Sequence, residues 1–348
     1  MSGLAKRWIG RASICAVASL AATAILASGS LEDGSAKLIQ KHLVDIGGGR
    51  HMNIVCVGHG SPVVIFEYGL GGHVLNWQKV QGPVSALTTA CFYDRAGYGY
   101  SDPSGRPMTA QSVTNDLYWL LDKAGVHKPI VLAGHSLGGL YATLYADRFP
   151  SQVAGLVLID PSFAGQDLGE TPAEQQRAQA IFDSSSAIIR RCGDLARAHR
   201  LSRQNPDSCF QLMPGRTPAE VEYLAGRLFT PNPWDAMLSE SRNLHGPNAL
   251  SQDEMEEQHV ARSFGDKPVI VLTAGVSPAD PGATPDEHAK SMAHWKAGHD
   301  KLAARSSLGS SIVVPNASHM IQLDQPQAVV DAIRKVVLAV RRPEAAAH

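Results

Sequence analysis

The 348-residue sequence predicts an α/β protein with a mostly parallel eight-stranded sheet flanked by helices and a helical segment inserted late in the chain. Three observations predict it. Short β-branched runs alternate with stretches of helical spacing, the pattern of a parallel sheet covered on both faces. One apolar run, Pro129 to Ala133, ends in Gly134-His135-Ser136-Leu137-Gly138 and passes straight into a second helical pattern. Strand signals then vanish between Ser162 and Asp266, where charge rises and short helical stretches are separated by Pro and Asn.

The elements follow in order. Leu38 to Ile46 and Arg50 to Val57 read as two strands around Gly47-Gly48-Gly49. Val63 to Phe66 and Ala90 to Tyr93 are the third and fourth strands. Gln111 to Ala124 has helical spacing, with Val113, Leu117, Leu120 and Leu121 on one face. Ile130 to Ala133 is the fifth strand, a helix runs to about Arg148, and Val153 to Ile159 is the sixth strand. Within the insertion, Pro172–Ile189 and Pro218–Arg227 are helical. Pro268 to Ala274 forms the seventh strand, and a Pro- and Asp-rich loop (Ser277 to Pro285) precedes a helix from Asp286 to about Arg305. Ser311 to Val314 is the eighth strand, and Gln327 to Arg341 closes the chain as a helix.

The first 29 residues stand apart from this pattern. Lys6, Arg7 and Arg11 precede an apolar stretch from Ala12 to Ala27 and the small residues Ser28-Gly29-Ser30, the three parts of an export signal. The stretch is shorter than the roughly 20 residues that span a bilayer, so an uncleaved anchor is the second reading. The expected divisions are therefore residues 1–29 as signal, 30–161 and 267–348 as the two parts of one core, and 162–266 as a helical cap. Without the three leader cations, the formal charge of −1 becomes −4. No cluster of Lys and Arg interleaved with aromatics appears, which leaves no footprint for nucleic acid. Nor is stable membrane insertion expected once the signal is removed. The localisation expected is periplasmic or secreted.

Four cysteines follow the leader: Cys56, Cys91, Cys192 and Cys209, which allow three pairings. Cys192 and Cys209 flank a polar segment of the insertion, where a disulfide would constrain chain with little core of its own.

The Gly-x-Ser-x-Gly pattern gains meaning from its setting. A strand before it and a helix after it form the sharp turn that exposes a nucleophilic serine, and residues flanking that serine must be small because the backbone nearly touches itself. Three further stretches accompany it: Phe66-Glu67-Tyr68-Gly69-Leu70-Gly71-Gly72, then Tyr93-Asp94-Arg95-Ala96-Gly97-Tyr98-Gly99-Tyr100-Ser101-Asp102, and late in the chain Ser318-His319-Met320-Ile321-Gln322-Leu323-Asp324-Gln325-Pro326. With these, the chain resembles the α/β-hydrolase superfamily from about Leu38 to Val340. Within it, the sequence looks like the bacterial esterase-like members with a helical cap. The likeness is specific for fold and nucleophile and poor for substrate.

Several expectations follow from that resemblance. Its strand order, 1-2-4-3-5-6-7-8, makes the strands of Cys56 and Cys91 neighbours, so these two form either a cross-strand bridge or two buried thiols. A serine hydroxyl needs a base to take its proton, and His319, on the loop after the last strand, is that candidate. His135 packs beside the nucleophile. The other histidines, His288, His294 and His299 among them, lack metal-ligand spacing and read as surface residues. A carboxylate must hold the imidazole in the right tautomer. Asp160, directly after strand six, is preferred because an acid at a buried strand end is costly unless paired. Asp280, after strand seven, is the alternative, with Asp286 behind it. The oxyanion of acyl transfer needs backbone N–H donors, expected from Leu70 and Leu137. Family members often carry His-Gly where this chain has Tyr68-Gly69, a departure that keeps the donors and changes the pocket wall. Asp94, Arg95 and Ser101 read as structural support.

The function expected is hydrolysis of small-molecule carboxylic esters, with lactones, thioesters and amides using the same groups, water as second substrate, and no cofactor or metal. A serine at the turn argues against the haloalkane dehalogenase and epoxide hydrolase branches, which use Asp there. The competing readings are a ligand-binding protein that kept the pocket and lost the chemistry, and cofactor-free peroxidation or acyl transfer at the same serine.

Overall fold

A computed structural model describes residues 36–127, 129–209, 216–245 and 250–342. The expected export signal, residues 1–29, lies outside them. Eight strands form one sheet in the order β1-β2-β4-β3-β5-β6-β7-β8. They are β1 (Leu43–Gly47), β2 (Arg50–Val57), β3 (Val64–Glu67), β4 (Ala90–Tyr93), β5 (Ile130–His135), β6 (Val153–Ile159), β7 (Val269–Ala274) and β8 (Gly309–Val314). The β1–β2 and β2–β4 pairs are antiparallel and every later pair is parallel.

Alternation along the central strands explains why both faces need cover. Val64 and Phe66 of β3, Val131 and Ala133 of β5, and Val157 and Ile159 of β6 join one apolar layer. Ile65, Ile130, Leu132, Leu156 and Leu158 face the other side and join a second. With side chains alternating across the sheet, a strand apolar at every position must be buried on both faces. The first layer is closed by α1 (Gln78–Leu87) and α10 (Pro326–Arg341), whose Val329, Val330, Ile333, Val336 and Val337 make one apolar stripe. The second is closed by α2 (Ala110–Lys123), α3 (Leu137–Arg148) and α8 (Pro285–Ala303). A short helix, α9 (Ile321–Asp324), precedes α10.

Between β6 and β7 the described residues are helical: α4 (Pro172–Arg197), α5 (Pro218–Leu228), α6 (Asn232–Leu244) and α7 (Gln252–Val260). Three helices start the same way. Thr171, Thr217 and Thr284 cap α4, α5 and α8, each followed by Pro and then by Glu174, Glu220 or Glu287 closing a reciprocal capping box. That T-P-x-E signature satisfies two otherwise orphaned N–H groups and places proline where its missing donor costs nothing. A third apolar cluster joins the inserted helices to the core: Ile189, Cys192, Trp234, Met237 and Leu244 pack with Leu70, Tyr98, Leu137 and Tyr141.

Both pairs of cysteines are bridged, Cys56 to Cys91 and Cys192 to Cys209. Cys56 and Cys91 stand directly opposite in the β2–β4 register. Such bridges accord with an oxidising environment. Among the described residues no helix is long and apolar enough to cross a membrane.

The structure departs from the sequence expectation at three places. The first strand begins at Leu43; Ala36–Leu38 form a helical turn that buries Leu38 in the first apolar layer. Helix α1 is absent from the expectation because Gly82-Pro83 lies inside it and reads as a breaker. His299 is fully buried, not on the surface, because α8 turns it toward the ends of β6 and β7.

Candidate active site

Ser136 sits between β5 and α3 with φ 55° and ψ −128°, a conformation that costs a non-glycine residue free energy and persists only where its surroundings impose it. The surroundings here are specific. Its N–H donates to the Ile159 carbonyl at 3.1 Å, and its carbonyl accepts from Gly139 at 2.8 Å and Ser162 at 3.0 Å. Gly138 is required by space: a Cβ there would lie 2.5 Å from the Tyr68 oxygen and 2.6 Å from the Glu67 oxygen. The turn is thus pressed against the end of β3.

Gly69, on the β3 loop, faces the serine. A Cβ at Gly69 would lie 2.9 Å from the Ser136 Cβ and 3.3 Å from its Oγ, so any larger residue would fill the space around the hydroxyl. Leu70 follows Gly69. Leu137 opens α3, and its N–H, as the first of the helix, has no acceptor within the helix. The structure therefore brings Ser136, the Gly69–Leu70 loop and the start of α3 into one place.

Asp160 directly follows β6, with φ 44°. Its Oδ2 lies 2.7 Å from Nδ1 of His319, on the turn between β8 and α9. Its Oδ1 accepts from the Ala274 N–H at 2.9 Å and from the Trp295 indole at 3.0 Å. Burial pushes this carboxyl up, but the His319 bond and charge, with His299 and the Ala274 N–H, outweigh it and hold the group down to about 2. Ionised Asp160 is an acceptor only, so Nδ1 of His319 is the donor in this bond.

Two further histidines flank this pair. His135 is buried, and its Nε2 lies 2.8 Å from the backbone oxygen of His319, so that nitrogen carries the proton and pins the main chain of His319. Burial and the adjacent His319 bring its pKa down to about 3, which keeps it neutral. His299 packs beneath Asp160, its Nε2 2.9 Å from the Pro161 oxygen and its Nδ1 2.7 Å from the Thr273 hydroxyl. Burial lowers its pKa as well. Trp295 and His299 lie four residues apart on α8, one helical face turned to Asp160; the spacing groups the two residues but does not tie them to that carboxylate.

The second carboxylate candidate lies elsewhere. Asp280 is on the loop after β7, lining a shallow depression with Arg177, Ser277, His288 and Ser291. Asp286, in the first turn of α8, is likewise not the group on His319 Nδ1. Asp94 and Ser101 form a buried brace: the Ser101 hydroxyl donates to the Asp94 carbonyl at 2.6 Å and accepts from the Asn53 N–H at 2.9 Å. Among the described residues no group of three or more His, Cys, Asp or Glu side chains is arranged to hold a metal ion.

The comparisons with known proteins agree with this architecture. Residues 54–332 match the alpha/beta hydrolase family. Among curated proteins, the chain is 30% identical over 105 residues to the uncharacterized protein YqjL of Bacillus subtilis, covering 30% of this chain and 42% of that one. It is 30% identical over 141 residues to a human (lyso)-N-acylphosphatidylethanolamine lipase, covering 39% of this chain and 40% of the lipase. The matched segments thus span less than half of these relatives. Among solved structures, a thermophilic esterase from Thermogutta terrifontis superposes with TM-score 0.55 at 18% identity, over 87% of this chain and all of that one. The epoxide hydrolase CorEH superposes with TM-score 0.60 at 17% identity, over 87% of this chain and 99% of that one. At such identities the superpositions speak for the fold alone. The chain belongs to the alpha/beta hydrolase family.

Proposed function

We propose that this hydrolase cleaves small to medium carboxylic esters through an acyl-enzyme on Ser136. His319 is the general base, Asp160 orients it, and the N–H groups of Leu70 and Leu137 receive the oxyanion. The observation that carries this reading is the 2.7 Å contact between His319 Nδ1 and ionised Asp160, at the end of the strand that pairs with the one leading into the serine turn. As the Ser136 oxygen bonds to the ester carbonyl carbon, His319 Nε2 takes its proton and Asp160 stabilises the imidazolium. The tetrahedral oxyanion collapses, the ester C–O bond breaks, and the leaving alkoxide takes the proton back from Nε2. Water then repeats the sequence on the acyl group, returning a proton to Ser136. Lactones and thioesters fit the same steps.

Residues 162–266 act, on this reading, as a cap that shapes a small pocket for an apolar acyl group. Residues 1–29 direct export, and the two disulfides are consistent with a periplasmic or secreted enzyme. Incubation with a fluorophosphonate probe followed by peptide mass analysis tests the proposal. An adduct on Ser136, together with turnover of p-nitrophenyl esters, is expected; a folded protein that acquires no adduct there would exclude the serine chemistry.

A further inference from the structure

Arg95 lies on the loop after β4 and is 1% exposed, an unusual place for a guanidinium. All three of its nitrogens are occupied. Nε and Nη2 form a two-pronged pair with Glu240 of α6, at 2.7 and 3.2 Å. Nη1 meets Glu67 of β3 at 2.6 Å. The remaining bonds go to main chain: Nη1 to the Tyr68 oxygen at 2.5 Å and Nη2 to the Gly69 oxygen at 2.9 Å. Tyr98 donates its hydroxyl to Glu240, and Tyr93 to Glu67, so the acids are held from behind. A second buried cation, Arg227 of the inserted helix α5, bonds the Gly71 oxygen at 2.8 Å.

The Gly69 oxygen is one end of the peptide group whose other end is the Leu70 N–H. A trans peptide is planar, with its C=O and N–H pointing in opposite directions. Fixing the oxygen with a buried cation therefore aims the Leu70 N–H away from Arg95. It also polarises the peptide, which strengthens that N–H as a donor. The partner peptide is treated in parallel: the Ser136 oxygen, opposite the Leu137 N–H, is held by the N–H groups of Gly139 and Ser162. Both donor peptides are thus anchored from their carbonyl ends, the Ser136 oxygen by main chain alone and the Gly69 oxygen by the Gly72 N–H at 3.0 Å together with Arg95.

We propose that Arg95 is a positioning residue for the oxyanion donor at Leu70, and that Glu240 of the inserted helix α6 sets its place. This rests on the serine-hydrolase reading above. It makes the insertion part of transition-state stabilisation rather than a cover alone, because a shift of α6 is transmitted through Glu240 and Arg95 to the Gly69–Leu70 peptide.

The test uses Arg95→Lys and Glu240→Gln in the purified protein, with p-nitrophenyl butyrate as substrate and an alkyl trifluoromethyl ketone as a tetrahedral adduct mimic. Loss of an oxyanion donor lowers kcat about 100- to 1,000-fold; a misaimed donor should cost about 10- to 100-fold in Arg95→Lys and about 3- to 10-fold in Glu240→Gln. KM should stay within about twofold, and affinity for the ketone should fall in step with kcat, because the loss is confined to the transition state. Folded variants in which kcat and ketone affinity are unchanged, or in which KM alone rises, would overturn the proposal. Should neither variant fold, a crystal structure of the unaltered protein with the ketone decides: the adduct oxygen must bond the Leu70 N–H while Arg95 keeps the Gly69 oxygen, and separation of Arg95 from that oxygen overturns the proposal. Fluorophosphonate labelling of the unaltered protein keeps the two readings apart. Absence of an adduct on Ser136 counts against the serine chemistry; an adduct with unaffected variants counts against Arg95.

Discussion

The indole N–H of Trp295 donates to Oδ1 of Asp160 at 3.0 Å, the carboxylate oxygen that His319 does not use. The acid is therefore held from both sides, and its orientation toward the imidazole does not depend on His319 alone. Trp295→Phe keeps the ring and removes this donor, leaving Ala274 as the donor on Oδ1. A hydrogen bond to a charged group contributes about 1.5–3 kcal/mol. The variant should lose stability of that order in urea unfolding and retain reduced ester turnover. An unchanged unfolding midpoint would show that the indole bond contributes nothing net.

Asp160→Asn should lower kcat on a p-nitrophenyl ester by about 1,000- to 10,000-fold, because an amide can present its N–H to Nδ1 and favour the wrong tautomer. Asp280→Asn, on the depression beside Arg177, should leave kcat within about twofold. A collapse in Asp280→Asn alone would reverse the assignment.

Asp160 also ties stability to pH. Its folded pKa, about 2, lies below its ordinary 3.8. A depressed carboxyl pKa stabilises the fold above the unfolded value, and that contribution is lost as pH falls from about 4 through about 2. A difference near two units corresponds to stability on the order of 2 kcal/mol. Burial pushes other acids, including Glu67, Asp94 and Asp253, in the opposite direction. The measurement is accordingly the gap in unfolding free energy between the native protein and Asp160→Asn at pH 5 and pH 3. The gap should narrow at the lower pH; a constant gap would contradict the low value.

The Cys192–Cys209 bridge ties α4 to chain 17 residues further on. Closing a loop of this size removes about 3 kcal/mol of unfolded-state entropy. Cys192→Ala with Cys209→Ala should therefore lower the thermal midpoint by several degrees and sensitise the insertion to proteolysis before the sheet. Cleavage that begins in the sheet instead would show that the bridge does not restrain the insertion.

The parts of the fold that follow local rules are legible in the sequence. Ser136 stands out because the turn needs Gly138 where the β3 carbonyls press in, and Asp160 because an acid at the end of an apolar strand demands a partner. His319 follows from its place after the last strand. The strand order came with the family resemblance, and the sheet matches it. Helix α1 was hidden by Gly82-Pro83, although Val80 and Val84 keep helical spacing and are buried. Trp295 and His299 were hidden for a different reason: their partners, Asp160, Thr273 and Pro161, are distant in sequence, and only the packing of α8 brings them together. Arg95 reads locally as loop support, and its two acids belong to different elements, one of them inside the insertion.

The point where the insertion leaves the sheet has a practical consequence for recombining such proteins. Ser162 bonds the Ser136 oxygen, Pro161 bears on the close approach to Gly139, and the Phe163 ring occupies the space beside Gly298. Pro161 and Ser162 serve the turn, and Phe163 seats the junction against α8, although all three precede the inserted helices. A chimera that exchanges the insertion with a relative should therefore splice after Phe163. A junction at Pro161 would swap the serine's own scaffolding along with the inserted helices and confound their effect with loss of the turn.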